Sequence, residues 1–164
     1  MEDYYKHLAL AKQTLMRADH MTYMTYPLVK DLKMFTYILE NIYSSVLNTM
    51  EAILQYDRLY KRISPLPENF DSRFQVFKSK SSKFHSLSME HMEFIQELKM
   101  MVESHKQSNM EFIRQDKLII CSPTFKTKTL NVDVIKSYLV KTRKFLTEVE
   151  SMLKKEEYLV KRED

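Results

Sequence analysis

The chain has 164 residues and no glycine, where an ordinary composition supplies roughly 7%; sites built on glycine-rich loops (P-loop, GxGxxG fingerprint, nucleophile elbow) are therefore excluded. Apolar residues at 44% and charged residues at 29% describe a folded chain rather than a disordered one. Lys and Arg number 26 against 22 Asp and Glu, a formal balance of +4, too mild to announce a nucleic-acid binder and basic enough to keep one open.

The length suits a single domain, 1–164. Leu8, Ala11, Leu15 and Ala18 recur at alternating steps of three and four, which predicts a helix over 2–20 with one apolar stripe. Residues 21–26 break that pattern, and Pro27 disfavours helical geometry at Tyr26. A second, longer helix is expected over 31–62, capped by Asp31, with Phe35, Ile38, Ile42, Val46, Thr49, Ile53, Tyr56 and Tyr60 as its buried stripe. At 1.5 Å per residue it would span about 48 Å, so a bend near Ser44-Ser45 is expected.

Pro65 and Pro67 stop that helix. Asn69 or Asp71 caps a shorter one bearing Phe70, Phe74 and Phe77, which the serine-lysine stretch 78–83 weakens. Ser88 starts a helix whose stripe is Met92, Ile95, Leu98 and Val102. The last helix, about 132–160, is capped by Asn131 and keeps Ile135, Leu139, Thr142, Leu146, Val149 and Leu153 in a seam that wants a partner helix. Before it, residues 117–122 and 125–130 read as two strands around Ser-Pro-Thr. Without glycine, a longer proline-started turn is favoured there over a two-residue primed turn. The expected fold is mainly α: an up-and-down bundle of four to five helices with a β-hairpin, about 117–130, inserted before the last helix.

The N-terminus carries no apolar leader, and no uncharged run approaches membrane-spanning length, so a cytoplasmic protein without membrane contact is expected. The lone Cys121 follows Leu118-Ile119-Ile120 and reads as a buried thiol in a reducing compartment. No histidine has glutamate three residues before it, so the ligand pairs of di-metal bundles are missing, as is HExxH spacing. No metal, cofactor or catalytic residue is expected.

Two features remain. The polar stretch 105–117 is expected to form a loop, with His105, Ser108, Glu111 and Arg114 as a candidate site; the plainer reading pairs Glu111 with Arg114 at helical spacing. Three cationic groups follow: Arg73, Lys78, Lys80 and Lys83; Lys117, Lys126 and Lys128 on the hairpin; and Lys136, Lys141, Arg143 and Lys144 on the last helix. On one face, and with Arg114, they would attract phosphates, and Phe84 and Phe125 would supply stacking. Solvated faces and a lysine-guarded edge strand are the plainer alternative.

In architecture, size and basic balance the chain resembles the HEPN superfamily of small helical proteins, a resemblance that implies dimerisation and action on RNA. Its ribonuclease motif pairs an arginine with a following histidine; Arg17 to His20 is too short and Arg73 to His85 too long for that spacing, so no catalytic residue carries over. Residues 26–31 and 105–121 look like segments of uncharacterised archaeal helical proteins. The leading expectation is a binding module that engages RNA or a protein partner through a basic loop-and-hairpin surface. A HEPN-like ribonuclease or toxin-system component with a non-standard site is one alternative. The other is a structural homo-oligomer, a dimer mated through the Leu139-Leu146-Leu153 seam.

Overall fold

The computed structural model describes residues 2–108 and 110–163. Among these, α1 (Asp3–His20), a π-helical turn (Met21–Thr25) and α2 (Tyr26–Val29) form one continuous helical stretch. There follow α3 (Met34–Leu59), α4 (Phe70–Val76), a second π turn (Phe77–Ser81), α5 (Ser82–Phe84) and α6 (Met89–Gln107). Three antiparallel strands, β1 (Met110–Arg114), β2 (Lys117–Cys121) and β3 (Thr127–Leu130), lead into α7 (Val132–Glu163). The fold is mainly α, with the hairpin placed before the last helix as its period change predicts.

Contacts fix the helix directions. Tyr4 meets Tyr56 edge-on at 5.2 Å, His7 bonds Asn48 and the Ser45 hydroxyl donates to the Ala11 carbonyl at 2.8 Å, so α1 and α3 run antiparallel. Ala11, Ala18 and Ser45 are fully buried along that line; side chains this small let the two backbones approach closely. Arg143–Asp19 and Lys12–Glu150 set α7 antiparallel to α1, and His91–Glu148 with Tyr138–Glu97 sets it antiparallel to α6. The result is an up-down-up-down bundle, with the α4–α5 helix wedged in through Phe77 against Phe145.

α3 is the central helix. Its expected stripe is buried as far as Tyr56, but Leu39, Met50, Ala52 and Leu54 are buried too, because neighbours cover it on several sides. It begins at Met34 rather than residue 31: the Asp31 carboxylate accepts from the Lys33 amide at 3.0 Å and closes a turn ahead of the helix. At the other end the helix stops at Leu59, leaving Tyr60 exposed. The helix runs through Ser44-Ser45 without interruption, and the Ser45 hydroxyl bonds across to α1.

The break expected at 21–26 is also absent, since Tyr26 is helical (φ −57°, ψ −43°). The reason is the π turn. Its wider ring, closed by the Tyr26 amide on the Met21 carbonyl, loosens the backbone where the Pro27 ring would otherwise strike the preceding turn. Asn69, Ser88 and Asn131 cap their helices as predicted, each side-chain oxygen accepting an amide of the first turn. The α7 seam is buried within the chain from Ile135 to Leu153, so Leu139, Leu146 and Leu153 have no face left to mate with another copy.

Candidate nucleic-acid interface

The sheet sits where α6 ends and α7 begins. Its strand order is β1-β2-β3. Leu118 and Ile120 of β2 and Leu130 of β3 are buried against the bundle, and side chains alternate along strands. The bundle face therefore also takes Glu111, Ile113 and Lys128, which pair with those positions. The outer face carries Met110, Phe112 and Arg114 on β1, Lys117, Ile119 and Cys121 on β2, and Thr127 and Thr129 on β3.

Residues 105–117 are not a loop. Residues 110–114 form β1, and a two-residue turn with Gln115 at φ 58° closes the Arg114–Lys117 pair. A primed-type turn thus forms without glycine, at the strain of a left-handed glutamine. The second turn is the proline-started kind expected: Phe125 donates to the Ser122 carbonyl, and Phe125 itself takes φ 61° to complete a three-residue loop.

The structure brings together three of the four polar candidates. His105 Nδ1 bonds the Glu111 carboxylate, and its Nε2 lies 4.0 Å from Glu40. The Ser108 hydroxyl faces the Met110 and Cys121 carbonyls at 2.8 and 2.9 Å, closing the start of the ladder. Arg114 stands apart. In an extended strand, residues three apart point to opposite faces, so the expected Glu111–Arg114 pair does not form.

The twelve cationic candidates do not form one group, and Lys136 lies 5.3 Å from the centre of the Tyr23 ring. Arg73 is consumed by Glu51 and the Pro67 carbonyl. Arg143 bonds Asp19 at 2.6 Å, Lys144 lies 3.5 Å from Glu90, and Lys141 lies 3.9 Å from Glu97. The last two lysines line a groove of about 330 Å³ between α6 and α7, together with Glu90, Glu93, Glu97 and Phe94. Burial and the Glu97 carboxylate beside it push the Tyr138 phenol well above the usual tyrosine range. Arg114, Lys117, Lys126 and Lys128 have no carboxylate within ion-pair distance among the described residues, and Asp116 is the single acidic residue between 112 and 130. Lys78, Lys80 and Lys83 are also unpaired among the described residues, but they belong to the second π turn and α5, at the far end of the bundle. Arg114 and Lys117 share the outer face beside the first turn, Lys126 lies at the second turn and Lys128 is on the bundle face. These four thus share one small sheet and its turns but not one face; the other groups do not join them.

Aromatic rings accompany these charges. Phe125 is 83% exposed at the turn and Phe112 is 41% exposed on the outer face. Phe84, by contrast, lies under the Arg62 guanidinium, 4.5 Å from its ring centre. Cys121 is buried, its Sγ 3.6 Å from the Ser122 carbonyl, as an inert thiol would be.

A second polar cluster gave no sign of itself in the sequence. His85, its side chain fully buried, places Nε2 2.7 Å from Asp57 and Nδ1 2.8 Å from Glu156. The Nδ1 contact is close enough for charge attraction but off the line a hydrogen bond needs, and that nitrogen counts as unbonded. Arg62 bridges the same two carboxylates at 3.3 and 2.8 Å and lies over the Tyr56 and Tyr60 rings. Burial pulls its pKa down, but the bonds to Glu156 and Asp57 outweigh it and leave the guanidinium's pKa raised. With Asp57 and the imidazole both sealed from solvent, the cluster is a clamp between α3, α5 and α7. Among the described residues no group of three or more His, Cys, Asp or Glu side chains is arranged to hold a metal ion, and no helix is long and apolar enough to cross a membrane.

The chain matches no family model, no curated protein and no solved structure.

Proposed function

We propose that the protein is a binding module whose three-stranded sheet contacts single-stranded RNA. One observation carries the reading: Arg114, Lys117, Lys126 and Lys128, on the sheet and its second turn, have no carboxylate partner among the described residues and lie on the same small element as two exposed phenylalanine rings, whereas Lys141, Arg143 and Lys144 of α7 are each paired with a carboxylate of another helix. A guanidinium or ammonium already paired gains little from a phosphate. An unpaired one releases the counterions condensed on the nucleic acid, and this release drives association. Exposed rings beside such charges give unstacked bases a flat apolar surface, and every base has a face to offer. Binding to this surface is expected to be tolerant of sequence and steeply dependent on salt.

Fluorescence anisotropy with a labelled oligoribonucleotide at two salt concentrations tests the proposal. Each phosphate contact made by the sheet contributes about 0.7 to the slope of log affinity against log salt. Four cations thus predict a slope no steeper than about three. Absence of binding at low salt would end the proposal. A duplex bound more tightly than a single strand would also count against it, because paired bases cannot stack on Phe125.

A further inference from the structure

The two edges of the sheet are built differently, and the difference points to a partner. β3, one edge, reads Thr127-Lys128-Thr129 and follows Lys126 and Pro123. Lysines and a nearby proline are the usual guards of an edge against unwanted pairing. β1, the other edge, reads Met110-Glu111-Phe112-Ile113-Arg114 and is exposed at all five positions. It is apolar on both faces, with Met110 and Phe112 outside and Ile113 on the bundle side, 53%, 41% and 48% exposed. Apolar residues on both faces suit a strand inside a sheet, not one at its margin. The one acidic side chain at its middle, Glu111, is drawn back to His105 and does not guard the edge.

The hydrogen-bond pattern shows which groups of β1 are free. The Ser122 amide donates to the Lys126 carbonyl at 2.8 Å, so Ser122 faces β3. Ladder bonds alternate along an antiparallel strand. Ile120 and Leu118 therefore bond β3, and Cys121, Ile119 and Lys117 bond β1 through Met110, Phe112 and Arg114. The N–H and C=O groups of Glu111 and Ile113 are left pointing away from the sheet.

We infer that β1 pairs with β1 of a second copy of this chain, about a two-fold axis at Phe112 normal to the sheet. In that register Glu111 of each copy faces Ile113 of the other, and the four outward amides and carbonyls exchange four hydrogen bonds. Phe112 meets its counterpart at the close, non-bonded position, where side chains approach most nearly. Arg114 lies opposite Met110, so no like charges stand directly across from each other. Two copies thereby form one six-stranded sheet, β3-β2-β1-β1-β2-β3, with both bundles on the same side. Its outer face sets two phenylalanines between two pairs of Arg114 and Lys117. The other registers with the same symmetry are worse: centring on Glu111 opposes two carboxylates, and centring on Ile113 sets Glu111 against the strained Gln115. The pairing does not rest on the RNA reading, since backbone groups and apolar side chains carry it.

Sedimentation equilibrium of the full chain tests it, with a mass of two 19.8 kDa chains expected at high concentration. Ile113→Pro removes an outward N–H without touching the ladder to β2, and should return the protein to the mass of one chain with its circular dichroism unchanged. Thr129→Pro, which removes an outward N–H from the guarded edge, should leave the dimer intact. Should Ile113→Pro lose its fold, Phe112→Lys decides instead, because it opposes two ammonium groups at the closest pair and must also give a monomer. A wild-type chain that stays monomeric at the highest attainable concentration overturns the inference. So does a dimer that survives these β1 substitutions.

Discussion

The two ends of the bundle handle charge in opposite ways. At the clamp end, Asp57, Arg62, His85 and Glu156 are held within 2.7–3.3 Å of one another and largely out of water. At the sheet end, Arg114, Lys117, Lys126 and Lys128 project without partners among the described residues. Burial explains the contrast. A charge withdrawn from water costs several kcal/mol unless it is paired, so the clamp tolerates nothing unmatched, whereas solvated lysines on a small sheet are stable alone. One end fastens three segments of the chain together, and the other keeps its charge free for something outside the chain.

The sharpest way to break this comparison is to unpair the clamp. Asp57→Ala leaves His85 and Arg62 facing one carboxylate where there were two, and should cost about 3–5 kcal/mol of folding free energy, read as a lower urea midpoint. The same variant should leave RNA affinity unchanged in conditions where it is folded. A loss of affinity equal to that of sheet variants would show that the two ends are not independent. Next in size, replacing Arg114 and Lys117 together with alanine should weaken RNA binding by roughly tenfold to a hundredfold at low salt and flatten the salt slope by about 1.4. Lys141→Ala with Lys144→Ala removes as much charge from groups already paired and should change affinity far less. Equal losses from the two pairs would mean that net charge, not the sheet, governs binding. Phe125→Ala should cost about 1–3 kcal/mol of binding if one base stacks there, with the salt slope unaltered, since no ionic contact is lost.

How far the sequence foretells these ends differs as well. The α6 and α7 seams were legible because their burial is one-sided and periodic, and each helix begins at a side chain able to cap it. The hairpin was legible from its change of period and from Pro123. β1 was not: Met110 to Arg114 has no clean alternation, since both faces of the strand stay exposed, and only its pairing with β2 makes it a strand. The clamp was the least visible. Asp57 and His85 are 28 positions apart and Glu156 lies far beyond both, so no local spacing joins them. The cationic groups were visible as runs, but a run does not reveal the carboxylate on the helix opposite, and for that reason Arg73, Lys141, Arg143 and Lys144 read as free.

The smallest effect lies midway between the two ends, where Glu150 of α7 takes ion pairs from Lys12 of α1 and from Lys154 at 3.1 Å. The bond from Lys12 holds its carboxyl below the ordinary 4.5, against the opposing pull of burial. A carboxyl whose folded pKa is lowered adds stability that is fully present above its unfolded value and is lost as pH falls through the folded one. Glu150→Gln should therefore cost less than about 1 kcal/mol near neutrality, as befits a partly exposed pair, and its urea midpoint should meet that of the wild type as the solution is taken well below pH 4.5. A difference that persists in acid would mean that the side chain's packing, not its charge, holds α1 to α7.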